Sequence, residues 1–221
     1  MSNRNNRNSV TFLLDPSNNW IENFLRNDPR ILSCDGYDIQ IEHDHAKVAD
    51  QDVVFILGYT KILDSSFLRR NRLNLVIHES DLPKGKGFSP VQWQILEGKN
   101  DIPICLIEAS EKVDSGDILL KSIFSVSKHD LFDEIRVKQA KATIDLVVEF
   151  LALYPDVERT PQMGESSIYK KRTEKDDELN IDNSIREQFD HMRIGNNEGW
   201  PSYFIIDGKK FILKIYHARS K

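Results

Sequence analysis

The chain has 221 residues, 39% hydrophobic and 29% charged, enough for one well-cored domain with a modest extension and too few for two large domains. With 30 Lys and Arg against 35 Asp and Glu the net charge is −5, which removes the electrostatic footprint of a general nucleic-acid-binding protein. No apolar run approaches the ~20 residues of a membrane span, the leading MSNRNNRNS lacks a signal-peptide core, and Cys34 and Cys105 form neither a disulfide framework nor a metal spacing, so a cytoplasmic protein is expected.

Residues 1–8 read as a disordered lead-in, 9–155 as the core, and 156–221 as an extension of loop, helix and hairpin. SVTFLLD over 9–15 predicts a strand, and Pro16-Ser17-Asn18-Asn19 a turn that caps a helix carrying Trp20, Ile21, Phe24 and Leu25 on one side. That turn holds no glycine, so backbone amides cannot close on a phosphate there, and a Rossmann nucleotide site is excluded. Tyr37 to Ile41 alternates as a strand. His43 and His45 follow it without a third or fourth ligand at useful spacing, so the segment reads as a solvated loop and no metal site is expected. Val53 to Leu57 is apolar throughout, as in a strand buried on both faces, and empties into Gly58-Tyr59-Thr60-Lys61-Ile62-Leu63; residues 64–70 predict a short helix.

The next apolar run ends on His78 and gives way to an acid-and-glycine turn. Within it Lys84-Gly85-Lys86-Gly87 reads as a flexible cationic loop able to meet an anionic ligand, which makes Lys84 and Lys86 substrate-binding candidates. Ser89 and Gln92 have capping-box spacing, Pro90 suits a first helical position, and Gly98 a helix end. A further apolar run around Cys105 leads to Val113-Asp114-Ser115-Gly116. Strands near 10, 38, 54, 75 and 105, separated by helical or crossover segments, predict a three-layer α/β fold with a central, mostly parallel sheet. His78 and Asp114 each fall where a strand yields to a Gly-containing loop, the carboxyl edge at which ligands collect in such sheets. An imidazole that exchanges protons near neutral pH, faced by a carboxylate, suits acid–base chemistry.

Residues 118–126 predict another strand and 130–153 a long helix, whose stripe of Leu131, Ile135, Ile144, Val147, Val148 and Leu151 marks it as a covering helix with no part in a site. Tyr154-Pro155 ends it. The charge-rich run 170–187 reads as a solvated face, and Ser202–Ile206 pairs with Lys210–Tyr216 across Asp207-Gly208.

His78, Ser80-Asp81-Leu82-Pro83, Lys86-Gly87 and Asp114-Ser115-Gly116-Asp117-Ile118 resemble, in order and spacing, the core pattern of the folate-dependent formyltransferases: a strand ending in Asn-x-His, a Ser-x-Leu-Pro turn, a basic residue before Gly, then Asp-x-Gly-x-Ile. Gly58 to Leu63 is similar to the family's Gly-aromatic-x-x-Ile-Leu turn at the folate site, and the stretch from Tyr169 looks like the C-terminal extension of the sugar formyltransferases, so the likeness covers roughly residues 50–215. The resemblance implies the formyltransferase fold, His78 and Asp114 as the catalytic pair, and Lys61, Ile62, Leu63, Ser110, Val113 and Asp114 as folate-binding residues. It implies 10-formyltetrahydrofolate as formyl donor and requires no metal. HESDLPKGKGFSPVQWQILEG looks like the compact enzymes of pseudaminic-type pathways, which makes a 4-amino-4,6-dideoxy sugar, nucleotide-linked or free, the implied acceptor. The methionyl-tRNA branch would bring a separate C-terminal β-barrel and a basic surface, so neither nucleic acid nor membrane is an expected partner; a homodimer is left open. The alternatives are a binding module that has lost turnover and an acyltransferase using another donor.

One position departs from the pattern. Val76 stands where the family has Asn, and Asn74, which shares the strand face of His78, lies about 13 Å from it along a regular strand. Either an irregularity brings Asn74 forward, or His78 and backbone amides take over its task; the second is the preferred expectation.

Overall fold

The computed structural model describes residues 7–218. The expected lead-in falls, over residues 1–6, outside the described residues, and Asn8 already belongs to the first strand. In chain order the elements are β1 (Asn8–Leu14), α1 (Glu22–Asn27), α2 (Pro29–Leu32), β2 (Tyr37–Glu42), β3 (Val53–Leu57), α3 (Ser65–Arg70), β4 (Asn74–His78), β5 (Lys86–Gly87), α4 (Pro90–Leu96) and β6 (Asp101–Glu108). They continue with β7 (Ile118–Ser125), α5 (Phe132–Leu153), β8 (Ile168–Tyr169), α6 (Phe189–Arg193), β9 (Ser202–Ile206) and β10 (Lys209–Leu213).

Six strands form one sheet in the order β2-β1-β3-β4-β6-β7, with β1 to β4 parallel, so the α/β sheet is mostly parallel as expected. The strand near 105 is the exception: β6 runs antiparallel to β4, with Glu108 opposite Leu75 and Cys105 opposite His78. The reason is length. Between β4 and β6 the helix available for a crossover is α4, seven residues or about 10 Å, too little to carry the chain back beside an eight-residue strand of about 27 Å. The chain therefore enters β6 from the edge where β4 ended.

Alternation along the strands divides the core. Phe12, Phe55 and Phe150 centre the larger cluster beneath α1 and α5, with ring centroids 5.3 and 5.6 Å apart, while Leu13, Val54, Ile56 and Phe67 form a smaller one on the opposite face. Burial on both sides is why β3 is apolar at every position.

Local capping differs from the sequence reading at two points. The helix after β1 begins only at Glu22, because the Asp15 carboxylate accepts from the Ser17 amide and hydroxyl and winds 15–18 into its own turn. Ser89 takes the left-handed conformation (φ 51°) and makes no side-chain cap, although Pro90 starts α4 and Gly98 (φ +80°) follows its end. The extension is tied to the core where β8 pairs in parallel with β5 and where Trp93 stacks on Tyr169 at 6.3 Å and donates to the Lys170 carbonyl at 2.9 Å. Among the described residues no helix is long and apolar enough to cross a membrane.

Candidate active site

Because β3 and β4 run in parallel, with Ile56 opposite Val76, their ends bring Gly58 beside His78. Asp114 arrives by another route than the shared carboxyl edge inferred from sequence. Antiparallel β6 carries Glu108 back to the level of Leu75, so residues 109–117 must fold back toward the end of β4. Bonds from Ala109 N to Asn74 O (2.8 Å) and Glu108 N to Asp117 O (2.9 Å) close the loop, and Gln162 Nε2 donates to the carbonyls of Asp114 (3.0 Å) and Gly116 (2.8 Å). The result sets His78 Nδ1 3.6 Å from Asp114 Oδ2, with side chains only 7% and 8% exposed.

The Lys84–Gly87 loop is a buckle, held at both glycines, where a flexible loop was expected. Its Gly85 carbonyl accepts from His78 Nε2 at 2.8 Å, and the Gly87 amide donates to Asp114 Oδ2 at 2.8 Å, so one turn orients both members of the pair. The Gly85 amide is held by Ser167 Oγ at 2.9 Å, and a Cβ on Gly87 would meet the Tyr169 carbonyl at 2.4 Å, which is why the extension can pack so closely there. Lys84 is exposed and Lys86 Nζ donates to Ser115 Oγ at 2.8 Å; neither lines the cavity described below. Asn74 stays a strand residue, its Nδ2 donating to Leu68 O at 2.9 Å and its Oδ1 accepting from Asn71 at 3.3 Å, with no irregularity in the β4–β6 register.

Beside His78 opens a cavity of about 900 Å³, and Lys61, Ile62, Leu63, Ser110, Val113 and Asp114 all line it. Ile62 and Val113 are 83% and 57% exposed, apolar faces left open in the way a flat heterocycle requires. The Ser110 hydroxyl turns to the Lys112 carbonyl at 2.7 Å and stiffens its own loop. The opposing 58–63 loop is anchored by Asp15, whose carboxylate accepts from the Thr60 hydroxyl and amide, while Asn18 Nδ2 donates to Gly58 O at 2.8 Å. Hydrogen bonds from Thr60 and then Ser17 hold the Asp15 carboxyl well below the usual carboxylate range. His43 and His45 turn to different partners, Glu22 at 2.9 Å and the Tyr59 hydroxyl at 2.8 Å, and form no metal pair.

Sequence reading missed part of the wall. Helix α5 is more than a cover: Arg136 and Gln139 line the cavity together with Trp20 and Glu79. Gln139 Nε2 donates to Glu79 Oε1, Arg136 Nη1 donates to Gln139 Oε1 at 2.7 Å, and the guanidinium lies 4.6 Å from the Trp20 ring centroid and 5.1 Å from that of Phe132. Burial pulls Arg136 down to about 10, still charged at neutral pH. The available signal was a polar pair, three residues apart, beside the apolar stripe at Ile135 and Ala140. Arg172 of the extension also faces the cavity and pairs with Asp177, whose carboxyl burial pushes up.

Residues 37–151, just over half of the chain, match the family described as Formyl transferase. The methionyl-tRNA formyltransferase of Rickettsia bellii is 30% identical over 172 residues, 76% of this chain and 55% of that protein; the chain spans about half the length of the curated relatives it matches. A solved methionyl-tRNA formyltransferase from Clostridium thermocellum is similar with a TM-score of 0.82 at 18% identity, over 96% of this chain and 94% of that one. A sugar N-formyltransferase from Shewanella sp FDAARGOS_354 gives 0.75 at 16% identity, over 97% and 99%. At these identities the two structures share the fold with this chain.

Proposed function

The chain belongs to the formyl transferase family, and from that premise we propose that it moves a formyl group from 10-formyltetrahydrofolate to the amine of a nucleotide-linked 4-amino-4,6-dideoxy sugar. The observation that carries the reading is His78 opposed to Asp114 at 3.6 Å on the wall of a cavity whose neighbouring loops leave Ile62 and Val113 uncovered. A volume of about 900 Å³ lies at the upper end for one small ligand, in keeping with a donor and an acceptor side by side.

When bound, the donor supplies an activated formyl carbon. Ile62, Leu63 and Val113 offer apolar faces to its ring, and backbone groups of the 58–63 and 108–114 loops offer partners to the ring edge. Because the Gly85 carbonyl can only accept, Nε2 of His78 carries a hydrogen, and Nδ1 is the edge turned toward Asp114. At 3.6 Å the two groups are too far apart for a direct hydrogen bond, and a single amine nitrogen between them can donate to both. The pair thereby orients the acceptor nitrogen, and Nδ1 receives the proton that it sheds as the new C–N bond forms. Once it holds that proton Nδ1 is a donor, and with backbone amides it stands in for the side-chain donor that Val76 lacks. The bond from the formyl carbon to the nitrogen of the formyl donor then breaks, and the donor leaves as tetrahydrofolate with a proton returned to that nitrogen. Lys171, Arg172 and Thr173 bring the extension to the same cavity, and the acidic net charge disfavours a polyanionic acceptor.

A methionyl-tRNA acceptor is the second reading, favoured by the name of the Rickettsia bellii relative. Mass spectrometry after incubation with 10-formyltetrahydrofolate and either nucleotide-linked and free aminosugars or methionyl-tRNA separates them. A formylated aminosugar is expected. Formylation of methionyl-tRNA alone transfers the assignment to the second reading, and donor binding without any product makes the chain a binding module.

A further inference from the structure

We propose that Arg136 is the residue that recognises an oxyanion on the acceptor, a phosphoryl or carboxylate group set apart from the amine that reacts. The inference rests on the preceding reading that donor and acceptor share this cavity. Strand alternation separates its two walls. Val76 packs with Ile56, Leu63 and Ala109 on the face that carries the 58–63 and 108–114 loops, whereas Ile77 packs into the main core under α5, and Glu79, two residues on, accepts from Gln139 of α5. Arg136 stands on this second wall, which the donor-binding loops do not supply.

Its environment is costly unless a ligand answers it. The guanidinium carries five N–H groups, of which Nη1 meets Gln139, and Nε is buried without a partner. Arg136 makes no ion pair among the described residues; Glu79 is hydrogen-bonded to the intervening Gln139 and acts on the guanidinium only as a nearby opposite charge, with no direct hydrogen bond. The guanidinium carbon lies 4.6 Å from the Trp20 ring centroid and 5.1 Å from that of Phe132, and contact with two rings restrains where the charge can point. A fixed, partly desolvated guanidinium at a cavity wall makes strong charge-assisted hydrogen bonds to carboxylate or phosphate oxygens, and a lysine of equal charge does not reproduce its planar fork.

Three probes test this by tryptophan fluorescence: UDP, glucuronate and tetrahydrofolate, each titrated into the wild type, Arg136→Met and Arg136→Lys, with thermal unfolding as the check on folding. At least one oxyanion probe should bind Arg136→Met more weakly by about tenfold or more, the scale of losing a hydrogen bond to a charged group. Arg136→Lys should fall in between, and tetrahydrofolate affinity should stay unchanged. A loss confined to UDP identifies a phosphoryl linker, and one confined to glucuronate a sugar carboxylate. Should Arg136→Met fail to fold, the Lys variant decides: wild-type affinity for both oxyanions overturns the proposal. So do the absence of oxyanion binding in the wild type and a parallel loss of tetrahydrofolate, which would put Arg136 on the donor. Formyl transfer is not the readout, so failure to find any formylated product would count against the proposed function and leave this measurement standing.

Discussion

Gly116→Ala should inactivate the protein through a displacement whose size the structure sets. Gly116 is not in the left-handed region, so alanine meets no backbone strain; the obstacle is space, because its Cβ would lie 1.7 Å from the Glu108 carbonyl oxygen and 2.8 Å from the carbonyl carbon. Carbon and oxygen pack at about 3.3 Å, so the 109–117 loop must retreat by about 1.6 Å from β6. Asp114 is two residues away on that loop, and its bond to the Gly87 amide and its placement against His78 move with it. Overpacking of this kind costs about 1–3 kcal/mol, which for a chain of this length lowers Tm by roughly 2–12 °C. Misplacing a reacting group by about 1 Å costs about 10²-fold in rate, so turnover should fall further than stability does. Circular dichroism melts and initial rates of formyl transfer at saturating donor measure the two effects. Gly98→Ala is the control: its φ of +80° should cost about 1 kcal/mol, but nothing lies within 4 Å of the added Cβ and turnover should not change. Wild-type turnover in Gly116→Ala, or an equal loss of turnover in Gly98→Ala, would refute the reasoning.

His78→Ala and Asp114→Asn should each lower turnover by about 10²-fold while remaining folded, the scale for losing an acid–base or charge-stabilising group; near wild-type rates would remove that residue from the mechanism. Asn74→Ala should show the opposite pattern, a stability loss of about 1–3 kcal/mol from the orphaned Leu68 carbonyl and Asn71 amide with turnover close to wild type. A folded Asn74→Ala protein with a hundredfold lower turnover would bring Asn74 into the chemistry. Asp15→Asn tests the anchor of the 58–63 loop by pH. The Asp15 carboxyl is depressed in the folded state, so its stabilisation is fully present above the unfolded value of about 3.9 and is lost as pH falls below it toward the folded value. The wild type should therefore melt higher than Asp15→Asn at pH 7, with the gap closing in acid; a gap independent of pH would contradict the assignment.

Much of the fold was legible in the linear chain because the signals involved are local. The uninterrupted apolar run of β3, the amphipathic stripe of α5, and the Asp207-Gly208 turn between β9 and β10 are each decided by residues within a few positions of one another. The 58–63 and 108–114 stretches were singled out by the family resemblance, and the structure gathers Lys61, Ile62, Leu63, Ser110 and Val113 around one cavity with His78 and Asp114.

The direction of β6 was not legible, since hydrophobic period says that a strand exists and not which way it runs; direction follows from how far the 79–100 segment can reach in three dimensions. The route of Asp114 to His78 depends in turn on that reversal. The held geometry of the Lys84–Gly87 loop was not legible either, because charge and glycine in a loop mark flexibility as readily as order, and only the packing of Tyr169 and Ser167 against Gly85 and Gly87 shows the loop to be a clamp. Arg136 and Glu79, 57 residues apart in the chain, meet through Gln139 only because α5 lies across the end of β4. Local conformation is set by near neighbours in sequence, whereas a site is set by hydrogen bonds and contacts between distant ones, and those exist only after the sheet has chosen its order and direction.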